Sequence, residues 1–477
     1  MQNLDSSLLE ESRGDLFTPN QFRATLGAHG MYDGLRFVVR LSPRVHDLIA
    51  ELPNGIGFQS DVSFEHVQAF STYLHETIHW WQHVGSTCGL MLSLSYPAQT
   101  HANLNHLNKF LEKVGPVKSV LEFSATQQGK PSPENPGGLS NIIVNNQFDI
   151  EAYRFIATNP ERAVPLVNDK MFESVGHAYH IALTNGVWLL ASTFDRELSH
   201  LPDPRDWEQE FRNLREAREE GSYYGSPVTL SPLGAFHIFE GQARFSQLQY
   251  LHFASGGKFD WDEAEKAGMM STVYTAAFEG FLAQSKLERP ATIDHPVVGL
   301  FLLICDITIN SGEGFPFPIW SPKTFITDAD PGMRFLHLSA AVRMFCPETA
   351  SAITRYNATE YEEVSSSLCE ALKLFSPINN CRAMELMVTE CKLAKECLKL
   401  HDIGQAAPLN LPIQVLFGQF ASFARDKLEY PHVICWPGAA MAGRFRDESS
   451  MGVFSRQSPM FIDRAEDEMI VPVIRAV

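Results

Sequence analysis

Between residues 64 and 83, apolar side chains recur every three to four positions, at Val67, Phe70, Leu74, Ile78 and Trp81, which is the spacing of an amphipathic helix. The same stretch, LHETIHWWQH from Leu74, sets His75, Glu76, His79 and His83 among those apolar positions. A buried helix of this composition must satisfy its polar groups, because unpartnered imidazole or carboxylate in an apolar interior is costly. Partners or a metal are therefore required. The turn signal in QSDVSFEH starts the helix near Phe64, and Gly85 is well placed to stop it.

The remaining chain repeats the helical pattern. Apolar periodicity runs through HANLNHLNKFLEKV, from Gln147 through Phe155, and through ESVGHAYHIALTNGVWLLASTF, whose apolar density marks a central helix. DWEQEFRNLREAREEG reads as a charged surface helix. HIFEGQARFSQLQYLHFA, TVYTAAFEGFLAQS, PVVGLFLLICDI, YEEVSSSLCEALKLF, RAMELMVTECKLAKECLKL and VLFGQFASFARDKL continue it. One strand is expected at 34 to 42, GLRFVVRLS, and proline- and glycine-rich loops at 126 to 141 and 311 to 325, either of which is in a position to cover a cleft. The expected fold class is predominantly α-helical (α+β), with a small β-containing N-terminal portion. Residues 1–330 form the expected metal-binding catalytic region and 331–477 a helical C-terminal region that can belong to the same domain.

With 38 basic and 56 acidic residues, a formal charge of -18 opposes binding to nucleic acid or to an anionic membrane surface. No apolar run reaches the roughly 18 residues needed to span a bilayer, and the first residues lack a secretory pattern. Eight cysteines without a CxxC pair read as free thiols of a reducing compartment, so a cytoplasmic protein is expected.

On a helix, His75 and His79 project from one face and can converge on one cation, while Glu76 sits at the edge of that face, within reach of a water. This is the HExxH arrangement of zinc peptidases. By chance, roughly one chain in twenty of this composition would contain the five residues, so the helical context carries much of the weight. His83 lies about 12 Å along the axis from His75, too far to share its ion. The positions of a short-loop metzincin's glycine and third histidine hold Gln82 and Gly85, which disfavours that class. The third ligand is better sought at Glu240 in HIFEGQARF, where Gly241 and Ala243 permit close helix approach; Glu151 and Glu173 are reserves.

HETIH at 75 to 79 with EGQAR at 240 to 244 resembles the gluzincin class of zinc metallopeptidases. The resemblance implies Zn2+ held by His75, His79 and Glu240, with Glu76 as general base and a peptide or protein substrate. The match covers two short helices. It departs from several members at Arg244, where they keep an acid, and in the long interval between the motifs. Donors to a developing oxyanion would come from His237, Arg244, Tyr179 or His180.

Other features of the chain compete with this reading. Glu76 with His79 and Glu197 with His200 form two ExxH pairs, which with Glu65 or Glu151 and Glu240 would suit a di-iron carboxylate oxidase or oxygenase of helical fold. A non-catalytic interaction or scaffolding protein would also accommodate the acidic surface. HDIG at 401 to 404 is a lone histidine-aspartate pair, and Cys435 before Trp-Pro-Gly suggests a turn.

Overall fold

The computed structural model describes residues 25, 28–52, 62–127, 135–399, 410–442, 445, 448–463 and 470–472. Helices dominate, as the periodicity predicts. The principal ones are α1 (Phe64–Gly85), α2 (Thr87–Val114), α3 (Pro136–Thr158), α4 (Val175–Phe194), α5 (Ala235–Ala254), α6 (Thr272–Ser285) and α7 (Pro296–Ile309). Further along come α8 (Pro331–Met344), α9 (Ala358–Leu372), α10 (Pro377–Glu390) and α11 (Leu411–Glu429). A four-stranded sheet is formed by β1 (Gly30–Asp33), β2 (Val38–Leu41), β3 (Phe461–Asp463) and β4 (Ile470–Pro472), in that order.

The expected single strand at 34 to 42 is instead the second half of a hairpin. Residues 34 to 37 turn, with Phe37 at φ 60, so that β1 pairs antiparallel with β2 through Gly30 opposite Leu41. Parallel pairing of β2 with β3 brings residues 461–463 beside the N-terminal hairpin, and β4 completes the sheet antiparallel to β3. Short-range alternation could not reveal a partner more than 400 residues away. The main hydrophobic core likewise includes side chains on both sides of residue 330, from Val39 to Phe454.

Helix α1 is almost wholly interior. Trp80 is fully buried, and the Trp81 indole donates to the Gln457 carbonyl at 2.8 Å, so both tryptophans belong to the core. Ser86, extended, ends the helix and caps α2 by accepting from the Gly89 amide. Gly85 is needed for space: a Cβ there would lie 2.6 Å from the Phe423 ring of α11. Helix α2 begins 14 residues before the periodic run HANLNHLNKFLEKV and passes through Pro97, which obscures its first half in the sequence. Helix α3 starts at Pro136 under an Asn135 cap, inside the expected loop 126 to 141.

The C-terminal helices are fastened to α7 by a buried charge. Asp306 accepts from Lys427 of α11 and, at 2.6 Å, from the Tyr361 hydroxyl of α9. Both charged side chains are nearly inaccessible, at 4% and 3%. Removing one partner strands the other, so Lys427→Met is expected to lower stability by about 3–5 kcal/mol. Chemical denaturation of this variant checks the figure; a loss under about 1 kcal/mol would show that the pair is not acting as an isolated buried ion pair.

Candidate metal centre

Helices α1 and α5 lie antiparallel, and two amide contacts fix their register. At one end the Gln82 side-chain amide donates to the Phe239 carbonyl and to Gln242 Oε1, both at 2.9 Å. At the other, Gln247 Nε2 donates to Ser71 Oγ at 3.0 Å. Between these contacts the helices bring His75, Glu76 and His79 against Glu240. His75 Nε2 and His79 Nε2 are 3.2 Å apart, and Glu240 Oε2 lies 3.8 Å from the first and 3.5 Å from the second. A tetrahedral zinc with bonds of about 2.0–2.2 Å separates its ligand atoms by about 3.3–3.6 Å. The three donor atoms therefore already stand close to the edges of such a site. Among the described residues this is the one group of three histidine, cysteine or acidic side chains with metal-ligand spacing.

The electrostatics favour a cation at the same point. Burial alone would lower His79, but the charge and hydrogen bond of Glu240, with help from Glu76, push it up to about 9. Burial, then the neighbouring His79 and Arg244, holds His75 well below the usual imidazole range. Two imidazoles this close share one positive charge, and two carboxylates surround it. Zinc takes nitrogen and oxygen donors of this kind.

Neighbouring groups orient the donors. His79 Nδ1 is 2.8 Å from Gln82 Oε1, which holds the proton on Nδ1 and leaves Nε2 free to ligate. His75 Nδ1 is buried without a hydrogen-bond partner among the described residues. In the sequence Gln82 stands out only as the residue at the metzincin glycine position; its spacing three residues after His79 is the one signal of this role. Glu76 is 7% exposed, and burial pushes its carboxyl up to about 7 against the opposing charges of His79 and Arg244. Strand β1 passes over this carboxylate at Gly30. A Cβ at Gly30 would stand 2.8 Å from Glu76 Oε1, so the strand can run there only with glycine.

The other predicted residues are dispersed. Arg244 lies one turn beyond Glu240, its guanidinium 3.8 Å over the Tyr274 ring and its Nη1 donating to Gln247. His237 is half-buried in the first turn of α5, its Nδ1 3.5 Å from the Gly234 amide. His83 is outside the donor set: its Nδ1 meets the His79 carbonyl, and its ring contacts Tyr32 and Phe239. Tyr179 donates to Asp330, and His180 stacks on Phe211. The reserve acids are engaged elsewhere, Glu151 with Gln147 and Glu173 with His177 and Arg215. Glu197 and His200 fall in the turn after α4, where the His200 amide binds Asp195, and they take no part in the cluster. Gly241 faces Ala277 of α6 and Phe301 of α7, so its small size serves that packing instead of the contact with α1. Cys435 is buried, its thiol pushed well above the usual range by burial. HDIG lies outside the described residues.

His79 and Glu240 open onto a cleft of about 970 Å³, walled by β1, the turn after it, α2, α3 and the start of α11. Loop 311–325 and the described part of 126–141 do not line it. No helix among the described residues is long and apolar enough to cross a membrane.

A buried HExxH helix joined by a distant glutamate, at the floor of an open cleft, is the active-site geometry of zinc metallopeptidases of the gluzincin type. Compared with protein-family models, with curated proteins and with solved structures, the chain gives no match.

Because Gln82 orients His79 without touching the ion, Gln82→Ala is expected to weaken zinc binding roughly 10- to 100-fold while preserving one site per chain. Competition against a chromogenic chelator measures this. An unchanged affinity would remove Gln82 from the site.

Proposed function

We propose that the protein is a single-zinc hydrolase that cleaves peptides or proteins. One observation carries the reading: two histidines and a glutamate converge at ligand spacing where His79 and Glu240 meet the cleft, with a fourth buried group, Glu76, beside them and free of the donor set. His75, His79 and Glu240 would hold the metal. When bound, zinc supplies Lewis acidity, making water acidic near neutral pH and polarising a carbonyl.

Glu76 performs the proton transfers. Burial brings its carboxyl into the neutral range, where a base can both accept and return a proton. It takes a proton from the attacking water and passes it to the departing amine nitrogen. The close packing of Gly30 against it holds the carboxylate in place for both. Arg244 and His237 are the proposed donors to the carbonyl oxygen as it becomes negative. The fixed position of Arg244 between Tyr274 and Gln247 supports its role, since a preorganised cation needs no reorganisation during reaction. Eight free cysteines, seven of them buried, support a reducing compartment, in the simplest case the cytoplasm.

Glu76→Gln is expected to retain stoichiometric zinc while lowering peptide kcat/KM by roughly 10²–10⁴-fold. His79→Ala should lose the metal itself. Elemental analysis alongside turnover of a mixed peptide library separates the two, and undiminished turnover by the glutamine variant would refute the base role.

A further inference from the structure

The cleft has the opposite charge to the rest of the protein. Within a chain of net charge -18, the arginines and carboxylates that line it are Arg36, Arg40 and Arg154 against Asp33 and Glu240. Asp33 is already committed: its carboxylate binds the Arg36 guanidinium at 2.7 Å and accepts from the backbone amides of Leu35 and Arg36. Glu240 belongs to the metal centre. Arg40 and Arg154 are left over.

These two differ in how they are held. Arg40 projects from β2, and among the described residues no acceptor pairs with its side chain. Arg154, on α3, is preset. Its Nη1 donates to the Leu92 carbonyl and to Ser95 Oγ, and its guanidinium stands 4.3 Å over the Tyr96 ring. That leaves Nε and Nη2 without an acceptor among the described residues. A planar guanidinium fixed on one edge and open on the other is suited to a carboxylate, which accepts two parallel hydrogen bonds. The walls of the same cleft are also apolar, with Phe236, Phe239, Pro412, Ile413 and Leu416.

We propose that Arg40 and Arg154 form a carboxylate-binding subsite of the cleft, which selects peptide substrates carrying an acidic side chain or a free C-terminus beside apolar residues. The inference rests on the hydrolase reading for the word substrate, but the subsite is a binding site in its own right. Recognition requires no proton or electron transfer. It would concentrate anionic peptides that the surrounding surface repels.

The test uses internally quenched octapeptides that differ by one Glu or Gln at each position in turn, each made with a free and an amidated C-terminus. Turnover is measured with the zinc-loaded protein and equilibrium binding with zinc-loaded Glu76→Gln, where cleavage does not interfere. Carboxylate peptides should be favoured on the order of tenfold to a hundredfold, less so at high salt. Arg40→Gln should reduce the ratio to near one, with zinc content and melting temperature as controls for folding. Arg154→Gln should reduce it as well, although loss of its bonds to α2 makes Arg40 the cleaner variant. A preference that follows the Glu position identifies a side-chain carboxylate, and one abolished by amidation identifies the chain terminus. Equal binding of Glu and Gln peptides with no effect of amidation, a preference surviving Arg40→Gln, or no peptide binding at all would overturn the subsite. Charge-selective, Arg40-dependent binding without turnover would retain the subsite and reject the hydrolase.

Discussion

The antiparallel contact between α1 and α5 is the constraint on which the site depends. It buries polar groups that neither helix could satisfy alone. His75 and His79 face Glu240 because Gln82 reaches the Phe239 carbonyl on one side of them and Gln247 reaches Ser71 on the other. Slipping one helix by a residue would break both amide contacts and turn the imidazoles away from the carboxylate. An interior of this kind excludes water, so the charges it keeps must compensate one another, and a divalent cation between two imidazoles and a carboxylate does so.

Other elements serve that contact. Gly241 lets α5 settle onto α6 and α7, and Gly85 lets α1 settle onto α11, which fixes the helix pair from behind. In front, β1 lines the cleft and packs against Glu76 through Gly30. The sheet that carries β1 is completed by β3 and β4, so strands from the far end of the described chain support the strand that packs on Glu76. The open side is the cleft, where the surface charge of the protein is reversed.

Much of this was legible in the sequence because it depends on local spacing. Histidines four apart on an apolar helix show the half-site, and the helical stretches follow from their periodicity. Glu240 was legible as a good candidate through its chemistry and the small residues beside it, although Gly241 proved to face a different helix. What stayed hidden is long-range. The hairpin turn at Phe37, the return of 461–463 to β2, and the contacts of Gln82 and Gly30 have meaning only once distant segments meet. Pro97 concealed the first half of α2, since a proline inside a helix reads locally as a break. Arg40 and Arg154 sit unremarkably in a strand and a helix, and only the fold turns them into one cleft.

The central claim is that one zinc ion sits between α1 and α5. Anomalous scattering at the zinc edge from crystals of the purified, zinc-replete protein tests it most directly. The account predicts a single peak about 2.0–2.2 Å from His75 Nε2, His79 Nε2 and a Glu240 carboxylate oxygen. Two iron peaks, a zinc bound elsewhere, or no metal at this position would contradict it.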